Sequence, residues 1–117
     1  MIKDVKNEED LVIIISEKGQ ASLRLGVKVA EILKFEDSII VRTAAISKER
    51  ARNIHRYSED GTKIWTVEEP EGVKDQANAF TGLRLNEKDG IIGYTWVGTK
   101  HRIDFATGKL LSSEFTK

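Results

Sequence analysis

Short apolar runs separated by turn residues dominate this chain. "LVIIIS" (Leu11–Ser16) is a single β-rich run, and "ILKFEDSIIVRT" (Ile32–Thr43) is two runs around Glu36-Asp37-Ser38. "NIHRYSEDGTKIWTV", "LRLNEKDGIIGYTW" and "HRIDFATGKLLSS" repeat the form around Asp60-Gly61, Asp89-Gly90 and Thr107-Gly108. Asp-Gly between two alternating runs is a strong hairpin signal, and in the tightest such turn both central residues take positive φ. Side chains two apart share a face of a strand. This groups Ala21, Leu23 and Leu25; Trp65 and Val67; Leu83 and Leu85; and Ile92, Tyr94 and Trp96 as core residues. Helical pattern is confined to Ser47–Asn53, where Ser47 can cap one turn but Ala51 is the lone apolar residue. Glu68–Ala79 contains the sole proline and no period, so it reads as a surface loop. The expectation is one all-β domain over residues 1–117, with about ten antiparallel strands, at most one short helix, and a charged, flexible stretch at 1–10.

The hairpins recur. Gly19, Gly61 and Gly108 close similar turns at steps of 42 and 47 residues, with another hairpin in each interval. His55-Arg56 and His101-Arg102 occupy matching places, which aligns Lys63 with Lys109 and Trp65 with Leu111 and makes the last turn one residue longer on its first arm. A period in the forties with four strands per unit is that of propeller blades. Two and a half such units cannot close a ring, which takes at least about four blades. A β-sandwich, a strongly bent sheet, or an edge paired with a partner is expected instead.

Composition narrows the chemistry. With no cysteine and two histidines, thiolate zinc sites, iron–sulfur clusters and thiol catalysis are excluded. Nineteen Lys and Arg balance 19 Asp and Glu, which argues against a dedicated nucleic-acid binder. The longest apolar run, Leu11–Ile15, is far below membrane-spanning length. The first ten residues lack the apolar core of a secretory signal, so the cytoplasm is the expected compartment.

Candidate sites follow from this inventory. His55 and His101 could form an acid–base pair, but no nucleophile spacing supports catalysis, and exposed strand positions beside arginine account for both. Asp60, Asp89 and Asp104 lie near turns without calcium-loop spacing, and no glycine-rich loop has phosphate-binding spacing. No metal or cofactor is expected. Charge is segregated. Between residues 59 and 75, Glu59, Asp60, Glu68, Glu69, Glu71 and Asp75 stand against Lys63 and Lys74, a balance of −4. Lys48, Arg50, Arg52 and Arg56 against Glu49 give +3 just before. The first group is the candidate partner-binding surface, an acidic patch that would dock on a basic protein. The second, with Lys100 and Arg102, is the weaker option of a phosphate contact. Tyr94 and Trp96 are core or, if exposed, an interface anchor.

From Asn53 to Lys117, "NIHRYSEDGTKIWTVEEP" and "FTGLRLNEKDGIIGYTWVGTKHRIDFATGKLL" resemble small all-β bacterial immunity proteins of contact-dependent growth inhibition and related toxin systems. Asp104, Thr107, Gly108 and Lys109 are also similar to the D-x-x-T-G-K turn of quinoprotein-type propeller repeats. Ser112–Glu114 stand where that repeat has its tryptophan, which argues against quinone binding. The resemblance implies a non-enzymatic inhibitor that occludes the active site of a cognate nuclease toxin domain, with a ribonuclease as the expected kind. A general assembly module that self-associates through its sheets is the alternative.

Overall fold

A computed structural model of the chain describes residues 1–35, 37–44, 52–68, 79–86, 88, 90–95 and 98–115. Among them lie eleven strands: β1 (Ile2–Glu8), β2 (Leu11–Ser16), β3 (Gly19–Arg24), β4 (Val29–Lys34), β5 (Ser38–Thr43), β6 (Ile54–Ser58), β7 (Lys63–Thr66), β8 (Phe80–Asn86), β9 (Gly90–Thr95), β10 (Thr99–Ile103) and β11 (Leu110–Phe115). Every pairing is antiparallel and joins consecutive strands. The result is three meanders: a first sheet β1-β2-β3, a middle sheet β4-β5-β6-β7 and a third sheet β8-β9-β10-β11. The chain is thus all-β, as its patterning implies. The expected helix at Ser47–Asn53 lies outside the described residues except for Arg52 and Asn53, neither of which is in an α-helix.

The sheets stack in chain order, in three layers rather than the two of a sandwich. The reason lies in β5. Its run Ser38-Ile39-Ile40-Val41 is fully buried on both faces, the pattern of a strand covered from both sides. Ile39 and Val41, with Tyr57, join Ile2, Val12, Ile14 and Val29 in a cluster shared with the first sheet. Ile40, Ile54 and Trp65 point the other way, into a cluster with Phe80, Leu83, Ile91 and Ile103 of the third sheet. Each large apolar side chain buried this way contributes about 1.5–3 kcal/mol. β4 packs beside both β1 and β8, so the leading strands of the three sheets lie next to one another.

Asn53, 1% exposed, joins the middle and third sheets. Its Nδ2 donates to the carbonyls of Thr43 (2.7 Å) and Phe80 (2.9 Å), and its Oδ1 accepts from the Phe80 N–H (2.9 Å). At the first junction the Leu25 and Val29 amides donate to the Asp10 and Glu9 carbonyls.

Residues 2–8 form a strand. Ile2–Glu8 pairs along its length with β2, and its apolar members Ile2 and Val5 face the core. Alternation fails as a guide at Leu85, which continues the face of Leu83 yet is 54% exposed. Ile92 is buried but belongs to neither cluster, Tyr94 is half-buried, and Trp96 lies outside the described residues. The Asp60-Gly61 hairpin is also looser than the tightest form. Gly61 has φ 89° but Asp60 does not adopt positive φ, and the Ser58 N–H···O=C Thr62 bond closes a three-residue loop ending in a left-handed glycine. The Asp104–Lys109 loop is one residue longer, with Gly108 (φ 78°) donating to the Asp104 carbonyl, as the aligned repeats imply.

Candidate functional site

The structure places only part of the acidic patch. Glu69, Glu71 and Asp75 lie outside the described residues. Glu59 sits on the β6–β7 turn with its side chain 12% exposed, paired with the N-terminal ammonium (2.9 Å) and Lys18 Nζ (3.3 Å) on the β2–β3 turn. Those cations, the ammonium foremost, hold its carboxyl below the usual range. Asp60 accepts from the Ser58 hydroxyl and from the Thr62 amide (3.0 Å). These bonds, that from Ser58 first, bring its carboxyl down to about 2. Glu68 is exposed, but its Oε1 accepts from Leu110 N–H (2.9 Å) and its own N–H donates to the Gly108 carbonyl (3.0 Å). Each of the three carboxylates is engaged in holding a turn or a sheet junction.

The histidines do not meet. Both point from the third strand of their sheet toward the preceding sheet, so the repeat alignment holds in space, but each has its own partners. His101 is 4% exposed, with Nε2 against Thr99 Oγ1 (2.8 Å), Nδ1 against Ser113 Oγ (2.6 Å) and its ring edge-on to Phe80 (5.8 Å). Burial pushes its pKa down. His55 is half-buried, with Nδ1 against Thr66 Oγ1 (2.9 Å). Burial, then Lys63 and Arg52, push it down to about 4. Neither occupies the exposed position the sequence suggested. Among the described residues, no group of three or more His, Asp or Glu is placed to hold a metal ion.

What sequence reasoning missed is a surface at the junction of the middle and third sheets. Leu85 (54% exposed), Leu111 (55%) and Phe105 (37%) line one shallow depression of about 390 Å³, with Lys88, Arg102 and Asp104 at its rim. Phe105 is held firmly there. The Arg56 guanidinium lies 3.8 Å from its ring centroid, the Phe35 ring packs against it at a tilt of 52° with centroids 5.0 Å apart, and its carbonyl accepts from Trp65 Nε1 (2.7 Å) and Arg56 Nη1 (3.0 Å). Leu111 aligns with Trp65 of the preceding unit. Trp65 is buried in the cluster shared with the third sheet, whereas Leu111 is exposed. The signal was present in the repeat itself: Leu111 is an apolar residue at the station where the preceding unit buries Trp65.

A family model described as a domain of unknown function, DUF7957, matches residues 2–115. The chain belongs to this DUF7957 family. The match spans all three sheets, so the family unit is the whole stack. No curated protein matches the chain. Among solved structures, the computationally designed Ika8 protein is similar over 99% of this chain at 13% identity and a TM-score of 0.57, and the computationally designed Ika4 protein over 100% at 13% and 0.57. The matched region spans 37% of the Ika8 chain and 74% of the Ika4 chain. These likenesses concern the fold alone. No helix among the described residues is long and apolar enough to cross a membrane.

Proposed function

We propose that this DUF7957 chain is a non-catalytic protein-binding module that neutralises a cognate nuclease toxin domain by covering its active site. The observation that carries the protein-binding part is the Leu85, Phe105 and Leu111 depression. Exposed apolar residues clustered within a charged rim mark protein contacts. An aromatic fixed before binding, as Phe105 is by Arg56, Phe35 and Trp65, loses little freedom when a partner covers it. The acidic segment beginning at Glu68 supplies the electrostatic part. Glu68 accepts from the amide of Leu110, the neighbour of Leu111, which holds its carboxylate next to the depression. Glu69, Glu71 and Asp75 follow and would steer a basic cleft onto the apolar anchors. The toxin as partner is supported by the sequence resemblance over Asn53–Lys117.

The test is co-expression with the C-terminal domain of the protein encoded immediately upstream. Rescue of growth and co-purification are expected. Leu85→Asp with Leu111→Asp should raise the dissociation rate and weaken binding by a hundredfold or more, the scale of about 3 kcal/mol for interface anchors. Reversal of Glu68, Glu69 and Glu71 should mainly slow association and flatten its salt dependence. No rescue and no co-purification would refute the toxin reading, and full affinity in the double aspartate variant would refute the depression as the contact.

One observation favours a second reading, self-assembly. The outward face of the first sheet carries the half-buried row Leu11, Ile13 and Ile15 on its central strand, between Asp4, Lys6 and Glu8 on β1 and Gln20, Ser22 and Arg24 on β3. Light scattering of the purified chain decides it, and a monomer at high concentration removes it.

A further inference from the structure

The middle sheet carries a second concave feature, unrelated to the apolar depression. A cleft of about 250 Å³ opens between β6–β7 and the connection from β3 to β4. Arg52, His55 and Lys63 line one side, and Leu25 and Val27 form an apolar wall. No carboxylate is among the described residues that line it.

Arg52 is fixed by Nε–H to the Val67 carbonyl (2.8 Å) and Nη2–H to the Thr66 carbonyl (3.3 Å), and among the described residues its Nη1 has no acceptor. Lys63 Nζ has one long contact, to Thr66 Oγ1 (3.5 Å). Neither cation is in an ion pair with another described residue, unlike Lys18, Arg24, Arg42 and Lys100. Thr66 Oγ1 lies between Lys63 Nζ and His55 Nδ1 and ties the imidazole to the cation side of the cleft. Among the described residues His55 Nε2 has no hydrogen-bond partner. Two cations without a carboxylate partner among the described residues and one imidazole therefore line one cleft.

We propose that this cleft binds the phosphate group of a small phosphate monoester. A tetrahedral dianion matches two cations and offers acceptors in several directions at once, whereas a single carboxylate offers two oxygens in one plane. The fixed guanidinium is the geometry best suited to an oxyanion. The volume lies just below the range of about 300–1,000 Å³ that holds drug-sized ligands, so a phosphate with a short organic tail fits and a large cofactor does not. Leu25 and Val27 give the tail an apolar surface. The groups facing His55 are Lys63 and Arg52 from its own sheet and Tyr57 on its own strand, with apolar Leu25 and Val27 opposite. Since Lys63 and Arg52 help to hold His55 neutral, an anion seated between them offsets their effect and draws a proton onto the ring.

The experiment follows the imidazole resonances of the full chain by NMR while inorganic phosphate or glycerol 2-phosphate is added at constant ionic strength, with sodium chloride as the control. Expected is a saturable change at His55 and none at His101, with at least a tenfold rise in the proton affinity of His55 at saturation. Tighter binding of the ester than of inorganic phosphate supports the monoester, whereas equal affinity would reassign the cleft to free phosphate and overturn the ester. Lys63→Gln, an exposed substitution, and Arg52→Gln should each weaken binding by about tenfold. The proposal falls if His55 shows no saturable change into the tens of millimolar. It also falls if chloride reproduces the change or if Lys63→Gln binds as tightly as the parent.

Discussion

Asn53→Ala tests whether one side chain holds the middle sheet to the third. The substitution deletes three hydrogen bonds, at 2.7, 2.9 and 2.9 Å, inside a region where Asn53 is 1% exposed and Phe80 fully buried. It leaves the Phe80 N–H, the Phe80 carbonyl and the Thr43 carbonyl without that partner. A buried backbone group left unpaired costs about 1–3 kcal/mol. Carbonyls have a second lone pair to fall back on, which puts the two of them at the low end, so the sum is about 3–5 kcal/mol. A domain of this size has about 5–15 kcal/mol in all. Urea unfolding followed by circular dichroism should therefore show a midpoint shifted by a large fraction of its value with an unchanged slope. Asn53→Asp sharpens the test, since it keeps the acceptor for the Phe80 N–H but faces two carbonyls with a buried charge, and should be worse than alanine. A loss below about 1 kcal/mol for alanine, or an aspartate variant as stable as alanine, would show that the junction is held elsewhere.

Further outcomes are expected. His55 is lowered from 6.5 to about 4, so the unfolded chain binds more protons between those values and the stability His55 contributes, present above 6.5, is lost as pH falls through that window. The gap corresponds to about 3 kcal/mol, and His55→Gln should flatten the acid limb of a stability-versus-pH curve by that order. Gly108→Ala places a Cβ 2.6 Å from the Trp65 ring at φ +78°, whereas Gly26→Ala (φ +77°) meets nothing within 4 Å. The second should cost about 1–2 kcal/mol for backbone conformation and the first an additional 1–3, with altered near-UV dichroism of tryptophan; equal melting temperatures would refute the close approach. Leu111→Asp should leave stability within about 0.5 kcal/mol by thermal melt, and a larger loss would show that the depression is core.

Turn chemistry and alternation made the all-β class and the hairpin order legible, because Asp-Gly and Thr-Gly punctuate runs of Ile, Val, Trp and Tyr. Ser38-Ile39-Ile40-Val41 also carried the layer count, since a run apolar on both faces needs a neighbour on each side, a cue that alternation-based reading passes over. β1 was hidden because Lys3-Asp4 and Lys6-Asn7-Glu8 surround single inward residues, and its pairing to β2 is a tertiary fact. The acids show a different limit. Composition marks Glu59, Asp60 and Glu68 as a charged patch but cannot tell that Lys18, Thr62 and the Leu110 amide engage them. Proximity between distant parts of the chain likewise hid the depression, because Phe35, Leu85 and the pair Phe105 and Leu111 come from three separate hairpins.

The equivalence of successive sheet faces bears on how such a chain can change in length. The middle sheet receives the first on one side and the third on the other, and His55 and His101 hold the same station in consecutive units. Duplicating one four-stranded segment in tandem would bring its own mating surfaces and require no redesign of the remainder. The architecture of this chain is in this sense modular, and insertion of a whole meander is the change in length it accommodates with least disruption.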